Sequence, residues 1–473
     1  MPAAIQHLVV LMLENRSFDH MLGFLQSGTY AIDGLDGSQL NRDSSGEPVR
    51  VNQDARYSGD LPADPSHDFQ DVMQQMFGVS SPAPGQLPDM SGFVQNYEHF
   101  THDRDAAAAI MNCFAPSNLP VLATLAKTYA ICDRWFSSVP GPTLPNRVYA
   151  HAGTSRGRLD LSPDFLGGFH TVYETLFKNG VSTTIFYEDW SAALSFEGLL
   201  LHNQAQYFAE YARFPELVKK NQLPSYCFIE PRYNPQVSNG VSLPANDQHP
   251  PDHDIAEGEQ FILTVYNDLR RNDDVWKSSI LAIVYDEHGG LYDHAAPVRC
   301  PSPDGIVCPD PAFDFTWFGP RVPAIIVSPY VQAGQIDHTL YDHTSVIATA
   351  MKLFTGPAWP SDVLGKRAQA ANTFDKILDL TMAPRMERPN FAAPPAAMAA
   401  TVPAIAAASA PLSALQQESV DHAAALNNRL PPHLQVRGDP KQIQDEHAAG
   451  AFVTQVAAGL QKLSAGVRPN GDQ

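Results

Sequence analysis

The sequence predicts an α/β fold, a doubly wound and mostly parallel sheet sandwiched by helices, and three observations predict it. Short apolar runs lack the alternation of a half-exposed strand, as expected of strands covered on both faces. Helical patterns separate these runs, and strands that alternate with helices imply a parallel sheet with helices on both sides. Acidic or amide residues follow several of the runs directly, at the edge where open α/β sheets bind ligands.

The first run is HLVVLML, residues 7–13, which leads straight into Glu14-Asn15. A helix is expected to start near Phe18, with Asn15 or Ser17 available as its cap. Residues 28–66 and 77–96 are rich in Gly, Ser, Asp and Pro and read as long surface loops. In a compact domain such loops serve as covers or insertions. A helical pattern spans 119–129, and the Pro/Gly-stiffened turn VPGPTLP precedes a helix expected near Asn146. Apolar runs follow at 183–187, ending on Glu188-Asp189, and at 226–229. A helix over 257–271, a strand over 280–285 ending on Asp286-Glu287, a strand over 324–328 and a helix over 344–353 complete the pattern. After about Met386 the composition shifts to PNFAAPPAAMAATVPAIAAASAP, which reads as a linker or a loosely packed surface segment. Helical patterns over 415–428 and 440–463 follow it. The chain therefore divides into a main domain, residues 1–385, and a C-terminal Ala/Pro-rich and helical extension, residues 386–473.

With 473 residues, 44% of them hydrophobic, the chain can bury a sizeable core. Lys and Arg total 31 against 51 Asp and Glu, a net charge of −20. Nucleic-acid affinity rests on basic patches, so no nucleic-acid partner is expected. A strongly anionic membrane is disfavoured for the same reason, whereas a zwitterionic or monomeric lipid is compatible. Residues 5–13 are too short an apolar run to span a bilayer and lack the basic leader of a signal peptide. No integral membrane segment is expected; the chain is cytoplasmic, or its export signal lies outside this sequence. The five cysteines form no CxxC pair, so thiolate zinc sites of that spacing are absent. Cys300 and Cys308 flank a Pro-rich loop and could form a disulfide in an exported protein, with free thiols as the alternative. No oligomeric state follows from the sequence.

Glu14 and Asn15 offer a carboxylate and an amide oxygen, hard ligands for a divalent cation. YDEHGGLYDH, residues 285–294, places Asp286 and Glu287 at a strand end, then a Gly-Gly turn, then Asp293-His294. Such a cluster is costly unless a metal or a substrate balances its charge. A solvated turn is the alternative, and the apolar strand feeding the cluster favours the metal. Thr143 lies where a helix macrodipole favours an alkoxide and an incoming phosphate. Taken alone, its segment reads as a helix cap at Thr143 with Arg147 on the surface. NDQHPPDHDIAEGE, residues 246–259, supplies His249, Asp252, His253 and Asp254. Pro250 and Pro251 disfavour a helical metal pair there and leave loop contacts to phosphate. His67 in PSHDF and His343 in YDHTS, read singly, are structural histidines.

Together these segments resemble those of a known family, the bacterial phosphoesterases that join phospholipases C to the acid phosphatase A type within the alkaline-phosphatase-like superfamily. The resemblance is carried by LENRSFDHMLG (13–23), ICDRWFSSVPGPTLPNRVYAHAGTS (131–155), LPSYCFIEPRY (223–233) and HPPDHDIAEGE (249–259). VYDEHGGLYDH (284–294), RVPAIIVSPYV (321–331) and YDHTSVIATAMKLF (341–354) complete it. It covers residues 7 to about 385 and leaves the extension unmatched.

The resemblance implies an alkaline-phosphatase-like fold for a phosphoesterase catalytic domain, residues 1–385. It implies a divalent metal held by Glu14, Asn15, Thr143, Asp286 and Glu287, with Thr143 as the nucleophile. Asn15 would also touch the transferred phosphoryl, and His67 and His249 would donate hydrogen bonds to its oxygens, one of them placed to protonate the leaving group. Hard oxygen ligands suit Ca²⁺ or Mn²⁺, and the family also admits Zn²⁺. It further implies a secreted or periplasmic protein. Phosphatase members carry Ser at the nucleophile and Asp-Asp at the second ligand pair, so Thr143 and Asp286-Glu287 are the phospholipase C-like form. Near Tyr187-Glu188-Asp189 the chain lacks a histidine that phosphatase members supply. The expected activity is therefore hydrolysis of phosphatidylcholine-like glycerophospholipids through a phosphothreonine. The alternatives are an acid phosphatase acting broadly on small phosphomonoesters and, more distantly, a non-catalytic binding protein on the same fold. A sulfatase uses a modified Cys or Ser nucleophile, which the PGPTLPNR turn lacks.

Overall fold

An eight-stranded sheet runs through the molecule. The computed structural model describes residues 5–160, 168–196, 198–199, 207–238, 241–251, 253–356, 359, 361–393, 412 and 414–466. In chain order the strands are β1 (His7–Leu13), β2 (Ala130–Cys132), β3 (Thr183–Tyr187) and β4 (Phe208–Glu210). They continue with β5 (Tyr226–Glu230), β6 (Ser279–Tyr285), β7 (Ala324–Val327) and β8 (Gln335–Asp337). Across the sheet they lie in the order β8-β2-β7-β6-β1-β5-β3-β4. Only β7 runs against its neighbours; every other pairing in this sheet is parallel. The long apolar runs form the middle of the sheet because they are covered on both faces, and every residue of β1 and β6 is buried.

Register does the positioning. Leu8 pairs with Ile280 and Leu13 with Tyr285, so Glu14 and Asp286 leave adjacent strands at the same level. Leu11 pairs with Ile229 on the other side, which brings Glu230 to the same edge.

The helices that bear on the site are α1 (Phe18–Leu22), α2 (Phe69–Phe77), α3 (Phe93–Thr101), α4 (Pro120–Thr128) and α5 (Thr143–Ala152). After them come α6 (Ile255–Leu269), α7 (Thr344–Phe354), α8 (Ala414–Asn427) and α9 (Glu446–Gly466). α4 packs on α6, and α5 on α7. The first backbone N–H groups of a helix have no internal partner. At α4 the Glu259 carboxylate of α6 accepts two of them, from Val121 at 2.6 Å and Leu122 at 3.0 Å.

Several expectations are refined. α5 begins at Thr143 rather than near Asn146, with Pro142 as the extended residue before it. Pro145 fits the first turn because its missing N–H would have had no partner there. The loop expected over 28–66 contains a hairpin, Leu40–Arg42 against Pro48–Arg50, and α3 begins at Phe93 inside the loop expected over 77–96. Cys300 and Cys308 are thiols, as are the other three cysteines, so the pairing considered for an exported protein is absent. Most of the Ala/Pro-rich stretch, residues 394–411 and 413, lies outside the described residues. Beyond it, α8 and α9 pack together and place Val420, Ala423, Leu426, Val453 and Leu460 in the same apolar cluster as the sheet. Among the described residues no helix is long and apolar enough to cross a membrane.

Candidate active site

The turn after β1 assigns its polar residues to different tasks. Ser17 caps α1, its Oγ accepting from the His20 N–H at 3.1 Å and donating to the Tyr292 carbonyl at 2.6 Å. Asn15 is thereby released from capping and adopts a left-handed φ of +50°. The turn after β6 presses against it. A Cβ on Gly289, itself at φ +64°, would lie 2.1 Å from the Asn15 carbonyl oxygen, so only glycine fits. The two turns are also bolted together: Asp286 Oδ1 accepts from the backbone N–H of Asn15 at 2.9 Å and of Glu287 at 2.7 Å.

Thr143 reaches this corner from the start of α5. Its hydroxyl lies 3.1 Å from Asn15 Oδ1 and 3.3 Å from Glu14 Oε2. Asn146 stiffens the preceding turn, its Nδ2 donating to the carbonyls of Val139, Gly141 and Pro142 and its Oδ1 accepting from the Val139 N–H. The cap expected at Thr143 is not made, since the cap position belongs to Pro142. Arg147, expected on the surface, is 1% exposed. Its guanidinium pairs with Glu14, with Asp286 Oδ2 at 3.2 Å and with Glu230 Oε2 at 3.7 Å, and it stacks over Tyr233 at 5.2 Å.

The histidines divide by what their ring nitrogens already hold. His343 stands behind Asp286, with Nε2 on the Asp286 carbonyl and Nδ1 accepting from Trp135 Nε1 at 3.4 Å. His253 uses Nδ1 on Asp247 at 2.5 Å, and its Nε2 lies 3.3 Å from Gln416 Nε2 on α8. These two are engaged in the scaffold. His67 and His249 face each other edge to face at 6.2 Å, and their charge acts on Glu287. Asp254 caps α6, and Asp252 lies outside the described residues.

Asp293 and His294, expected in the same cluster as Asp286, join a different one. Together with Asp19 they come close enough to hold a cation. Arg321 already fills that role, donating to Asp19 Oδ1 and Asp293 Oδ1, each at 2.9 Å. Burial opposes the charge on His294, but its hydrogen bonds to Asp19 and Asp33 lift its pKa to about 10. That makes two positive groups for the buried acids and leaves little for an ion to balance.

The Thr143 corner has the opposite balance. Glu14, Asp286, Glu287, Glu230 and Asp247 are all buried, and Arg147 pairs with Glu14, Asp286 and Glu230. Burial pushes the Glu14 carboxyl well above the usual range; Arg147 opposes this, while Asp286 and Asp247 add to it. Burial also pushes Glu287 up to about 7, against the pull of His67. Glu287 Oε2 accepts from the Gly289 N–H at 2.7 Å, while Oε1 is buried without a hydrogen-bond partner. A surplus of buried carboxylate, hard oxygen donors and one orphaned oxygen is the chemistry that Glu14, Asn15, Thr143, Asp286 and Glu287 would offer a divalent cation.

A cavity of about 20 Å³ opens at Thr143, lined also by Glu14, Arg147, Trp190, Tyr233, Ser419 and His422. Sequence reasoning missed Arg147, Glu230 and the two residues of α8. Arg147 lies four residues after Thr143 and so on the same helical face, a usable signal. Glu230 falls one residue past the run expected over 226–229. Ser419 and His422 lie in a segment that matched no motif.

The family described as "Phosphoesterase family" matches residues 5–356. Non-specific phospholipase C1 of Arabidopsis thaliana is 38% identical over 405 residues, 81% of this chain and 73% of that protein. Non-specific phospholipase C6 of the same plant is 37% identical over 443 residues, 89% and 81% of the two chains. Phospholipase C B of Mycobacterium tuberculosis is 25% identical over 428 residues, 78% of each. A solved protein of the alkaline phosphatase superfamily from Vibrio parahaemolyticus aligns over 80% of this chain and 72% of its own, at 11% identity and a TM-score of 0.35.

Proposed function

This chain belongs to the Phosphoesterase family, and from that membership we propose that it is a phospholipase C that hydrolyses glycerophospholipids with Thr143 as the nucleophile. The observation that carries the reading is the Thr143 hydroxyl, at the start of α5 and within 3.3 Å of both Glu14 and Asn15. The phospholipase C relatives over most of the chain support the substrate class.

In the first step Thr143 Oγ1 attacks phosphorus in line, forming an O–P bond as the bond from phosphorus to the glycerol oxygen breaks. The hydroxyl proton has Glu14 Oε2 within reach at 3.3 Å. The departing diacylglycerol alkoxide takes a proton from His67 or His249, the two imidazoles beside Glu287. Water then adds to the phosphothreonine diester, giving its proton to the same imidazole. The P–O bond to Thr143 breaks, Thr143 Oγ1 takes back the proton held by Glu14, and a phosphorylated headgroup leaves. In this reading Asn15 touches the phosphoryl oxygens, and Arg147 balances Glu14 and Asp286. A divalent cation on Glu14, Asn15, Thr143, Asp286 and Glu287 would supply Lewis-acid charge that lowers the hydroxyl pKa and offsets negative charge on phosphorus. A positioned imidazole acid contributes about 10²–10⁴-fold to such a step.

Thr143→Ala should lower turnover of p-nitrophenylphosphorylcholine by roughly 10³-fold or more while leaving the circular dichroism spectrum unchanged. Near wild-type turnover by the pure variant would end the nucleophile assignment. The substrate class is tested by comparing that diester with p-nitrophenyl phosphate across pH. Strong preference for the monoester at acid pH would make the protein an acid phosphatase instead.

A further inference from the structure

We propose that the C-terminal helix α8 supplies two substrate-contacting residues, the Ser419 hydroxyl and the His422 ring, which hold an oxygen of the phosphoester bound at Thr143. The inference rests on the reading of Thr143 as the nucleophile, and its grounds are geometric.

The cavity at Thr143, about 20 Å³, has room for a single water-sized group. A phosphoester oxygen is such a group. Thr143, Glu14 and Arg147 line it together with Ser419 and His422 of α8. Ser419 is 1% exposed and His422 5%. Ser419 Oγ and His422 Nε2 are buried without a hydrogen-bond partner among the described residues. Buried polar atoms in native proteins are nearly always paired, because leaving them unpaired forfeits the hydration they had in water. Two such atoms beside one cavity and one nucleophile share a single explanation, a ligand that supplies the missing partner.

The placement of α8 supports this. Gln416, Ser419 and His422 recur at every third position, so they form one stripe along the helix. Gln416 meets His253, His253 holds Asp247, and the Asp247 carbonyl accepts from the Glu14 N–H at 3.0 Å. The helix is thus tied to the first ligand position through three side chains. Trp190 lies against the His422 ring at 5.8 Å and fixes its orientation. Burial lowers the His422 pKa to about 4, so the ring enters the cavity neutral at ordinary pH.

The test uses full-length Ser419→Ala, His422→Gln and the double variant. Calorimetry measures their affinity for inorganic phosphate, and p-nitrophenylphosphorylcholine reports kcat/KM. Each single change should weaken phosphate binding and lower kcat/KM by about tenfold, the loss of one hydrogen bond to a charged ligand, and the double should lose more. Wild-type phosphate affinity and wild-type kcat/KM in both single variants would overturn the proposal. So would an effect confined to thermal stability, which is what a merely structural role gives. Thr143→Ala separates the two readings: if it still turns over, the nucleophile assignment fails, whereas phosphate binding that Ser419→Ala weakens within that same background keeps the α8 contact.

Discussion

Arg147 carries the electrostatics of the Thr143 corner at the scale of single residues. It pairs with Glu14, Asp286 and Glu230, so its removal leaves buried carboxylates without a counter-charge. Breaking a buried pair from one side costs about 3–5 kcal/mol, and Arg147→Met should lower the urea unfolding free energy by about that much. Arg147→Lys, which keeps the charge and loses the planar fork, should recover only part of it. A methionine variant as stable as the wild type would remove Arg147 from this role. The residue shows why the site was only half legible in sequence. Glu14, Asn15, Asp286 and Glu287 announce themselves by following apolar strands. Arg147 sits on a helix, and its burial depends on partners delivered by β1, β5 and β6, which no local pattern encodes. His343, read as structural in sequence, is held by Asp286 and Trp135, and His253, for which a helical metal pair was disfavoured, is held by Asp247 and Gln416.

Among the elements, α4 is anchored from outside itself. Its first N–H groups have no side-chain cap of their own and rely on Glu259 of α6, which burial pushes to a pKa of about 7. Glu259→Ala leaves two buried donors unpaired, and unfolding by urea should register a loss of about 1–3 kcal/mol. An unchanged unfolding free energy would mean that other groups satisfy those donors. The long central strands and α4, α6 and α7 were readable because several turns or residues of one period add up to a signal. β2, β4 and β8 hold three residues each, too few to show a period; β2 and β4 pair with the longer β7 and β3, and β8 pairs with β2. The start of α5 was displaced in the sequence reading because Pro145 looks like a barrier and is a first-turn residue.

At the level of the whole molecule, the surplus of buried acid ties stability to pH, and a cation bound there would act on the same window. Glu287 has an ordinary pKa near 4.5 and is pushed to about 7 in the folded protein. Between these values the folded state keeps a proton that the unfolded chain has released. The cation-free protein therefore loses stability as pH rises through that window and levels off above it. A divalent cation at the corner proposed above would bind its deprotonated form and so would stabilise most at the upper end. Chelation should lower the melting temperature more at pH 8 than at pH 5, and add-back should restore it. Melting temperatures that ignore chelator at both pH values would argue against a cation at this corner. The sheet order has a temporal consequence of its own. β1 lies between β5 and β6, so the earliest of the eight strands to be synthesised finds its two partners only after residues 226 and 279 have been made. At about 5–20 residues per second it waits roughly 10–50 s as an unpaired apolar segment. A nascent chain of this kind is exposed to aggregation throughout that interval and benefits from any factor that shields β1 until β6 arrives.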